Sequence, residues 1–491
     1  MNYIGISSGF HDAAASVLND RGDILFAGHS ERYSKNKHDK DICEGLLYDA
    51  LQHTNSANLQ YHYYERPWLK SLRQLRSGEG FILPTWKKLL GSAYHSMGEP
   101  KIHTHSHHLS HAAASFQTSP FNDATVVVID AIGEFDTISI YNAWYENGIA
   151  KYKKVWGLKY PDSIGLFYSA MTKRAGLRPL DEEYILMGMA AYGKAIPMRE
   201  MSNTLIESFK HITFKENMHV GVPDTFLEGA NEMDIATSTQ LITEQLIMHV
   251  ISKARMLTTS KNLVYGGGVA LNCLANRLLG EFYDNIWIMP NPGDAGSSLG
   301  AACLGYGKVV NWTDAFLGHD ITGDYPVNRI LDVLLTDKIV GVASGRAEFG
   351  PRALGNRSLL ADPRGTEIKD KVNEIKRRQK FRPFAPIILE EYADTYFDMP
   401  RGFSNSRYMQ VISRCRVPDL FPAVIHIDRT SRVQTVPKDG SGIRELLEKW
   451  YVLTGCPMLL NTSLNVRGEP MVNDRIDADR FENLYGVKVL S

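Results

Sequence analysis

Cysteine is scarce and scattered in this chain. The 491 residues hold five, Cys43, Cys273, Cys303, Cys415 and Cys456, far apart and with no CxxC pair. That excludes a disulfide framework and a cysteine-based zinc site, and fits reduced thiols in the cytoplasm. Long apolar runs are missing as well. None reaches membrane-spanning length, so no membrane partner is expected. The opening Met1-Asn2-Tyr3-Ile4-Gly5 has neither a basic n-region nor an apolar h-region, and no secretory leader is expected from it. Charge of one sign is also lacking: the formal net charge of −1 leaves no nucleic-acid footprint by itself. Low-complexity tracts are absent.

What remains is an ordinary globular composition, 44% hydrophobic and 22% charged, over a length that calls for two or three domains. The charge is unevenly spread. Residues 331–491 carry 25 Lys+Arg against 21 Asp+Glu, or +4, leaving 29 against 34, or −5, elsewhere. The basic residues of the C-terminal part cluster in 346–382, and clustering matters more than the sum for binding phosphates.

Histidine is concentrated. Five of sixteen fall in His103-Thr104-His105-Ser106-His107-His108-Leu109-Ser110-His111. On a helix, His107 and His111 stand i, i+4 on one face and can hold one metal ion. Ala112-Ala113-Ala114 favours continuing that helix. The apolar run Ala124–Ile129 reads as a buried strand ending in Asp130, a carboxylate within reach of the same ion. A His-rich surface patch is the plainer alternative.

Taken in order, the chain opens as a β-meander: strands at Tyr3–Ser7, Ala13–Leu18 and Ile24–Gly28, with His11-Asp12 at the first turn. Such polar, Gly-containing turns are where actin-like ATPase folds approach phosphates; an ordinary turn reads the same. The plan repeats at Val126–Asp130, a Gly133-Glu134 turn and Thr137–Tyr141, as a two-lobed actin-like fold requires. Residues 66–88 interleave Arg66, Lys70, Arg73, Arg76, Lys87 and Lys88 with Trp68, Phe81 and Trp86. That suits a polyanion or a stacked base, or simply a solvated helical face. A strand at Asn262–Tyr265 feeds Gly266-Gly267-Gly268 and a helix beginning near Val269–Asn272. Glycine-rich turns at helix N-termini present N–H groups to anions, although no GK[ST] follows as a Walker A loop would need. Asp294 lies between a strand and a helix, as an N-cap or a metal ligand. The patterns fade around 310–335, where a domain boundary is placed. Beyond it, Arg346, Arg352 and Arg357 sit among helix breakers, and Arg377-Arg378-Gln379-Lys380-Phe381-Arg382 adds more cations; guanidinium forks match phosphate bidentately. Ala423–Asp428 and Ser431–Val436 read as two strands joined by a tight turn.

These motifs together resemble the NodU-type O-carbamoyltransferases almost end to end. The resemblance runs through Gly5-Ile6-Ser7 to His11-Asp12, Glu31-Arg32 with Lys37-His38-Asp39, the HHxxHA segment, Asp130 with Gly133-Glu134, and Met187-Gly188. It continues through Gly267–Asn272, Pro292-Gly293-Asp294, Glu348–Gly355, Phe381–Pro386 and Asn461-Thr462-Ser463. It implies an α/β protein with an actin-like (ASKHA) two-lobed domain over 1–325 and a YrdC-like α/β domain over 326–491. The implied chemistry is formation of carbamoyl adenylate from carbamoyl phosphate and ATP with Mg(II), then transfer to a hydroxyl of a small molecule, a sugar or 5-hydroxymethylcytosine in DNA. Implied metal ligands are His107, His111, Asp130 and Asp294, usually around Fe(II), though the donor set also suits Mn(II) or Zn(II). Implied anion and nucleotide contacts are Gly266, Gly267, Gly268, Asn272, Arg352, Lys380, Arg382, Arg432, Ser463 and Asn465. His11 stands as the group facing the acceptor hydroxyl and Lys37 as the stabiliser of developing charge. Arg429 and Ala191 depart from the family pattern, which commonly has Gly and Pro there, and the chain is shorter than many relatives. Competing expectations are a tRNA threonylcarbamoyl-type transferase and a non-catalytic nucleotide-binding regulator; a sugar kinase leaves the HxxxH pair and the arginines without a role.

Overall fold

The computed structural model describes residues 1–55, 58–81 and 83–491. Ile82, inside the basic-aromatic stretch, lies outside the described residues.

Three sheets organise the chain. The first comprises β1 (Asn2–Ser7), β2 (Ala14–Asn19), β3 (Ile24–His29), β4 (Leu59–Tyr63) and β5 (Ile102–Thr104), in the order β3-β2-β1-β4-β5. The second comprises β6 (Asp123–Gly133), β7 (Asp136–Glu146), β8 (Ile149–Lys159), β9 (Asn262–Gly266) and β10 (Asn285–Ile288), in the order β8-β7-β6-β9-β10. Each is an antiparallel three-strand meander whose first strand continues into two parallel strands. Order and sense are the same in both, so the repeated strand–turn–strand of the sequence is the visible part of a repeated sheet. The third sheet comprises β11 (Ile339–Ala343), β12 (Arg357–Ala361), β13 (Ala385–Leu389), β14 (Gln434–Val436), β15 (Met458–Ser463) and β16 (Val489–Leu490). Its order is β14-β13-β15-β12-β11-β16, with its own apolar core around Leu360, Ile387, Trp450 and Leu459. The protein is thus of mixed α/β class.

Two short helices join the first two sheets: α1 (His107–Gln117), lying on β6 and β9, and α2 (Gly296–Tyr306), lying on β1, β2 and β4. Both are built from small residues, and both are buried on nearly every face, which explains their weak amphipathic signal in the sequence. Gly300 is obligatory at their crossing. A Cβ there would stand 1.9 Å from the Ser110 carbonyl oxygen of α1. Gly5 does the same for α2 on β1, where a Cβ would meet the Ser298 carbonyl oxygen at 1.8 Å. Backbone-to-backbone approach of this kind is what only glycine permits. It brings the start of α1 and the turn before α2 to one point.

One expected element is different. Ala423–Asp428 is not a strand: Pro422–Val424 forms a 3-10 turn, and Arg429 sits at φ 65°. Thr430–Arg432 and Gln434–Val436 are strands, but they pair in different sheets. Pro422 lacks the N–H that a ladder needs, so the apolar run there packs as an irregular segment.

Candidate functional site

α1 carries His107 and His111 on one face, β6 delivers Asp130 beyond its buried run, and the turn after β10 delivers Asp294. All four are buried. His107 Nε2 lies 3.0 Å from Asp130 Oδ2 and 3.4 Å from Asp294 Oδ1. His111 Nε2 lies 3.3 and 3.2 Å from the same oxygens, and the two Nε2 atoms are 3.1 Å apart. Four ligands at bond lengths of about 2.0–2.1 Å around one ion form a tetrahedron with edges of about 3.3–3.4 Å, so the spacing fits a first-row divalent cation. The outer partners fit too. His111 Nδ1 donates to the Pro292 carbonyl at 3.1 Å, which turns the Nε2 lone pair toward the carboxylates. His107 Nδ1 faces the buried Glu65 carboxylate at 3.7 Å, and Glu65 is itself held by Lys70 Nζ at 2.7 Å. Burial alone depresses the His107 imidazole; the Asp294 and Asp130 carboxylates outweigh it and raise it well above its ordinary range. A pocket that forces protons onto buried imidazoles is one that a metal cation would neutralise.

This cluster opens into a cavity of about 440 Å³. On the same side, the first turn contributes a chain of side chains. His11 Nδ1 donates to Asp12 Oδ2 at 2.9 Å, and His38 Nδ1 donates to Asp12 Oδ1 at 2.7 Å. His38 Nε2 and Lys37 Nζ meet Asp181 Oδ1 at 2.9 and 3.1 Å. Burial lowers both imidazoles, but their hydrogen bonds to Asp12, and for His38 also to Asp181, win: His11 is pushed up to about 9 and His38 to about 10. Asp181 and its pairing with His38 have no local signature in the sequence, because 143 residues separate the two.

The opposite wall is cationic. Arg352, Arg378, Arg382, Arg432 and Lys376 line the cavity, and none has a carboxylate within ion-pair distance among the described residues. Burial comes first in depressing each of them, and neighbouring cations add to it for all but Arg432, where burial acts against weak support from Cys273. Lys376 Nζ donates to the Ser463 carbonyl, to Ser463 Oγ at 3.0 Å and to Asn465 Oδ1 at 2.9 Å. One buried and four half-buried cations without counter-charges are an invitation to an anion.

The expected anion and nucleotide residues divide three ways. Arg352, Arg382, Arg432, Ser463, Asn465, Gly268 and Asn272 all reach the cavity. Lys380 does not: it is 70% exposed beside Glu374, and Lys376, one turn earlier, takes the inward place. Gly266 and Gly267 also stay behind the wall. A Cβ at Gly266 would press on Ser115 Oγ of α1 at 2.5 Å, and one at Gly267 on the Ile129 carbonyl oxygen at 2.2 Å, so both serve close packing. Asn272 spends its amide on Gln240 and on capping the next turn. Three of the six cations of 66–88 are engaged as well. Arg66 pairs with Glu134, Lys70 with Glu65 and Arg73 with Glu79.

The sequence family described as "Carbamoyltransferase N-terminus" matches residues 50–303, and "Carbamoyltransferase C-terminus" matches residues 331–491. An uncharacterized protein of Synechocystis sp. is 32% identical over 97% of this chain and 93% of its own length. The nodulation protein NolNO of Sinorhizobium fredii is 30% identical over 95% of this chain and 76% of its own. Among solved structures, component A of the Acidaminococcus fermentans (R)-2-hydroxyglutaryl-CoA dehydratase aligns with 62% of this chain and 98% of its own at 16% identity and a TM-score of 0.35. The protein is a group-transfer enzyme. It belongs to the carbamoyltransferase family. Among the described residues no helix is long and apolar enough to cross a membrane.

Proposed function

We propose that the protein is an ATP-dependent O-carbamoyltransferase working in the cytoplasm. Residues 326–491, read as a YrdC-like domain, make carbamoyl adenylate, and residues 1–325, read as an actin-like domain, transfer the carbamoyl group. The observation that carries this is a single cavity with unpaired cations on one wall and a His/Asp cation site on the other. Carbamoyl phosphate plus one water gives carbamate and phosphate. A carbamate oxygen then attacks the α-phosphorus of Mg(II)-bound ATP and pyrophosphate leaves. Arg352, Arg382, Arg432 and Lys376 hold the phosphoryl oxygens, with Ser463 and Asn465 orienting the Lys376 ammonium. Gly268 and Asn272 form the wall against which the adenylate lies.

In the second step the acceptor hydroxyl attacks the carbamoyl carbon and AMP departs with the bridging oxygen. Asp12 accepts from His11 Nδ1, and Nε2 becomes the proton-accepting nitrogen once the ring, raised to about 9, gives up its proton. Lys37, held by Asp181, stabilises the charge that grows on the leaving side. His107, His111, Asp130 and Asp294 would hold a divalent metal, Fe(II) by family resemblance, which supplies Lewis-acid stabilisation and orientation. The engagement of Arg66, Lys70 and Arg73 within the chain favours a small-molecule or sugar hydroxyl over hydroxymethylcytosine in DNA.

The test is pyrophosphate release from ATP and carbamoyl phosphate without acceptor, for wild type and Arg382→Ala. Release by wild type alone supports the reading. No release by wild type overturns it.

A further inference from the structure

Between the two walls runs one short segment that touches both. Asp181 Oδ1 holds Lys37 Nζ at 3.1 Å and His38 Nε2 at 2.9 Å. Its neighbour Glu182 turns the other way and pairs with Arg467 at 2.8 Å, just beyond the Ser463–Asn465 loop. Two residues on, the ring of Tyr184 takes a cation from each wall. Arg382 Cζ lies 4.8 Å from its centroid and Lys37 Nζ lies 5.7 Å from it. An aromatic face attracts cations through its quadrupole, and the attraction is strongest where water is excluded. Arg382 has no carboxylate partner among the described residues, so the ring is a principal neighbour of its charge.

We propose that Tyr184 is a positioning residue that couples the anion-binding wall to Lys37 on the transfer wall. The inference rests on the two-step reading above and concerns the regulation of that same cavity. A guanidinium that turns to take a phosphate loosens its hold on the ring, and the ring's contact with Lys37 changes with it. Occupancy of one wall is thereby felt at the other, through a side chain that touches both and reacts with nothing.

A double-mutant cycle on pyrophosphate binding tests this without an acceptor. Calorimetry on the full-length protein gives the affinity of pyrophosphate for wild type, Lys37→Met, Tyr184→Leu and the double variant. Lys37→Met is expected to change the affinity at least threefold in the wild-type background and less than 1.5-fold beside Tyr184→Leu. Tyr184→Phe, which keeps the ring, is expected to keep the full Lys37 effect; this variant also covers the case in which leucine disturbs folding. An equal Lys37 effect with tyrosine and with leucine at 184 overturns the role of Tyr184 and leaves the anion wall standing. Absence of pyrophosphate binding by wild type removes the anion wall itself, and the coupling with it.

Discussion

Replacing Arg352 by methionine should make the protein more stable and inactive at once. Arg352 lines the cavity with no ion-pair partner and no hydrogen bond to protein among the described residues, and burial first, then Arg432, depress its guanidinium. An uncompensated buried charge costs about 3–5 kcal/mol, and partial access to the cavity reduces that here to about 2 kcal/mol. Methionine keeps the aliphatic stem and breaks no bond. For a C-terminal unit of this size, about 2–4 °C of melting temperature per kcal/mol gives a rise of about 4–8 °C. The sign in pH follows from the depressed pKa. At pH 7 arginine is charged in both the folded and the unfolded chain, so the penalty is fully present; it fades only as pH climbs from the folded value toward 12.5. Calorimetric melting at pH 7 without ligand is the assay, paired with pyrophosphate release. Pyrophosphate at about 100 times its Kd should raise the wild type by about 2.7 kcal/mol and leave the variant nearly unmoved. A variant that melts lower than wild type, or that still releases pyrophosphate at the wild-type rate, refutes the reasoning.

Other outcomes follow from the same geometry. His111→Ala should drop bound transition metal from near one per chain to under a tenth by elemental analysis, while pyrophosphate release persists. In metal-free protein, His11 and His38 are raised by partners gained on folding, so their contribution is full below pH 6.5 and is lost as pH rises toward about 9 and about 10. Melting temperature should therefore fall from pH 6.5 to 9 in wild type and stay flatter in Asp12→Asn. Gly300→Val should cost at least about 3 kcal/mol and weaken metal binding, because α2 must lift from α1; a stable, metal-replete Gly300→Val protein contradicts that crossing. Lys376→Ala should lose pyrophosphate release at least about a hundredfold, and Lys380→Ala should lose little.

The His/Asp cluster was partly legible: i, i+4 histidines and a carboxylate ending a buried run are local signatures, whereas Asp294 read as an N-cap or a ligand and joined the set only through the family resemblance. Long-range pairings have no local signature. Nothing near His38 announces Asp181, and nothing near Arg66 announces that Glu134 will occupy it. Lys380 was expected through the family resemblance alone, as the lysine of a K-x-R pattern with Arg382. Here Arg377 takes φ 49° after the preceding helix, and the turn that follows sends Lys380 outward. Gly266 and Gly267 misled in a different way, while Gly268 does reach the cavity. A turn that lets backbone reach a phosphate and a turn that lets backbone reach a neighbouring strand need the same residue, and only packing tells them apart.

The counter-charges missing from the cationic wall have a practical consequence. Tyr184 and Glu182, which cover Arg382 and Arg467, belong to the other half of the chain. Cut away from them, the C-terminal half would present a bare basic face and behave as an ion exchanger, retaining nucleic acid and polyphosphate indiscriminately. Selectivity measured on that fragment would report the cut surface, so the two halves have to be assayed as one chain.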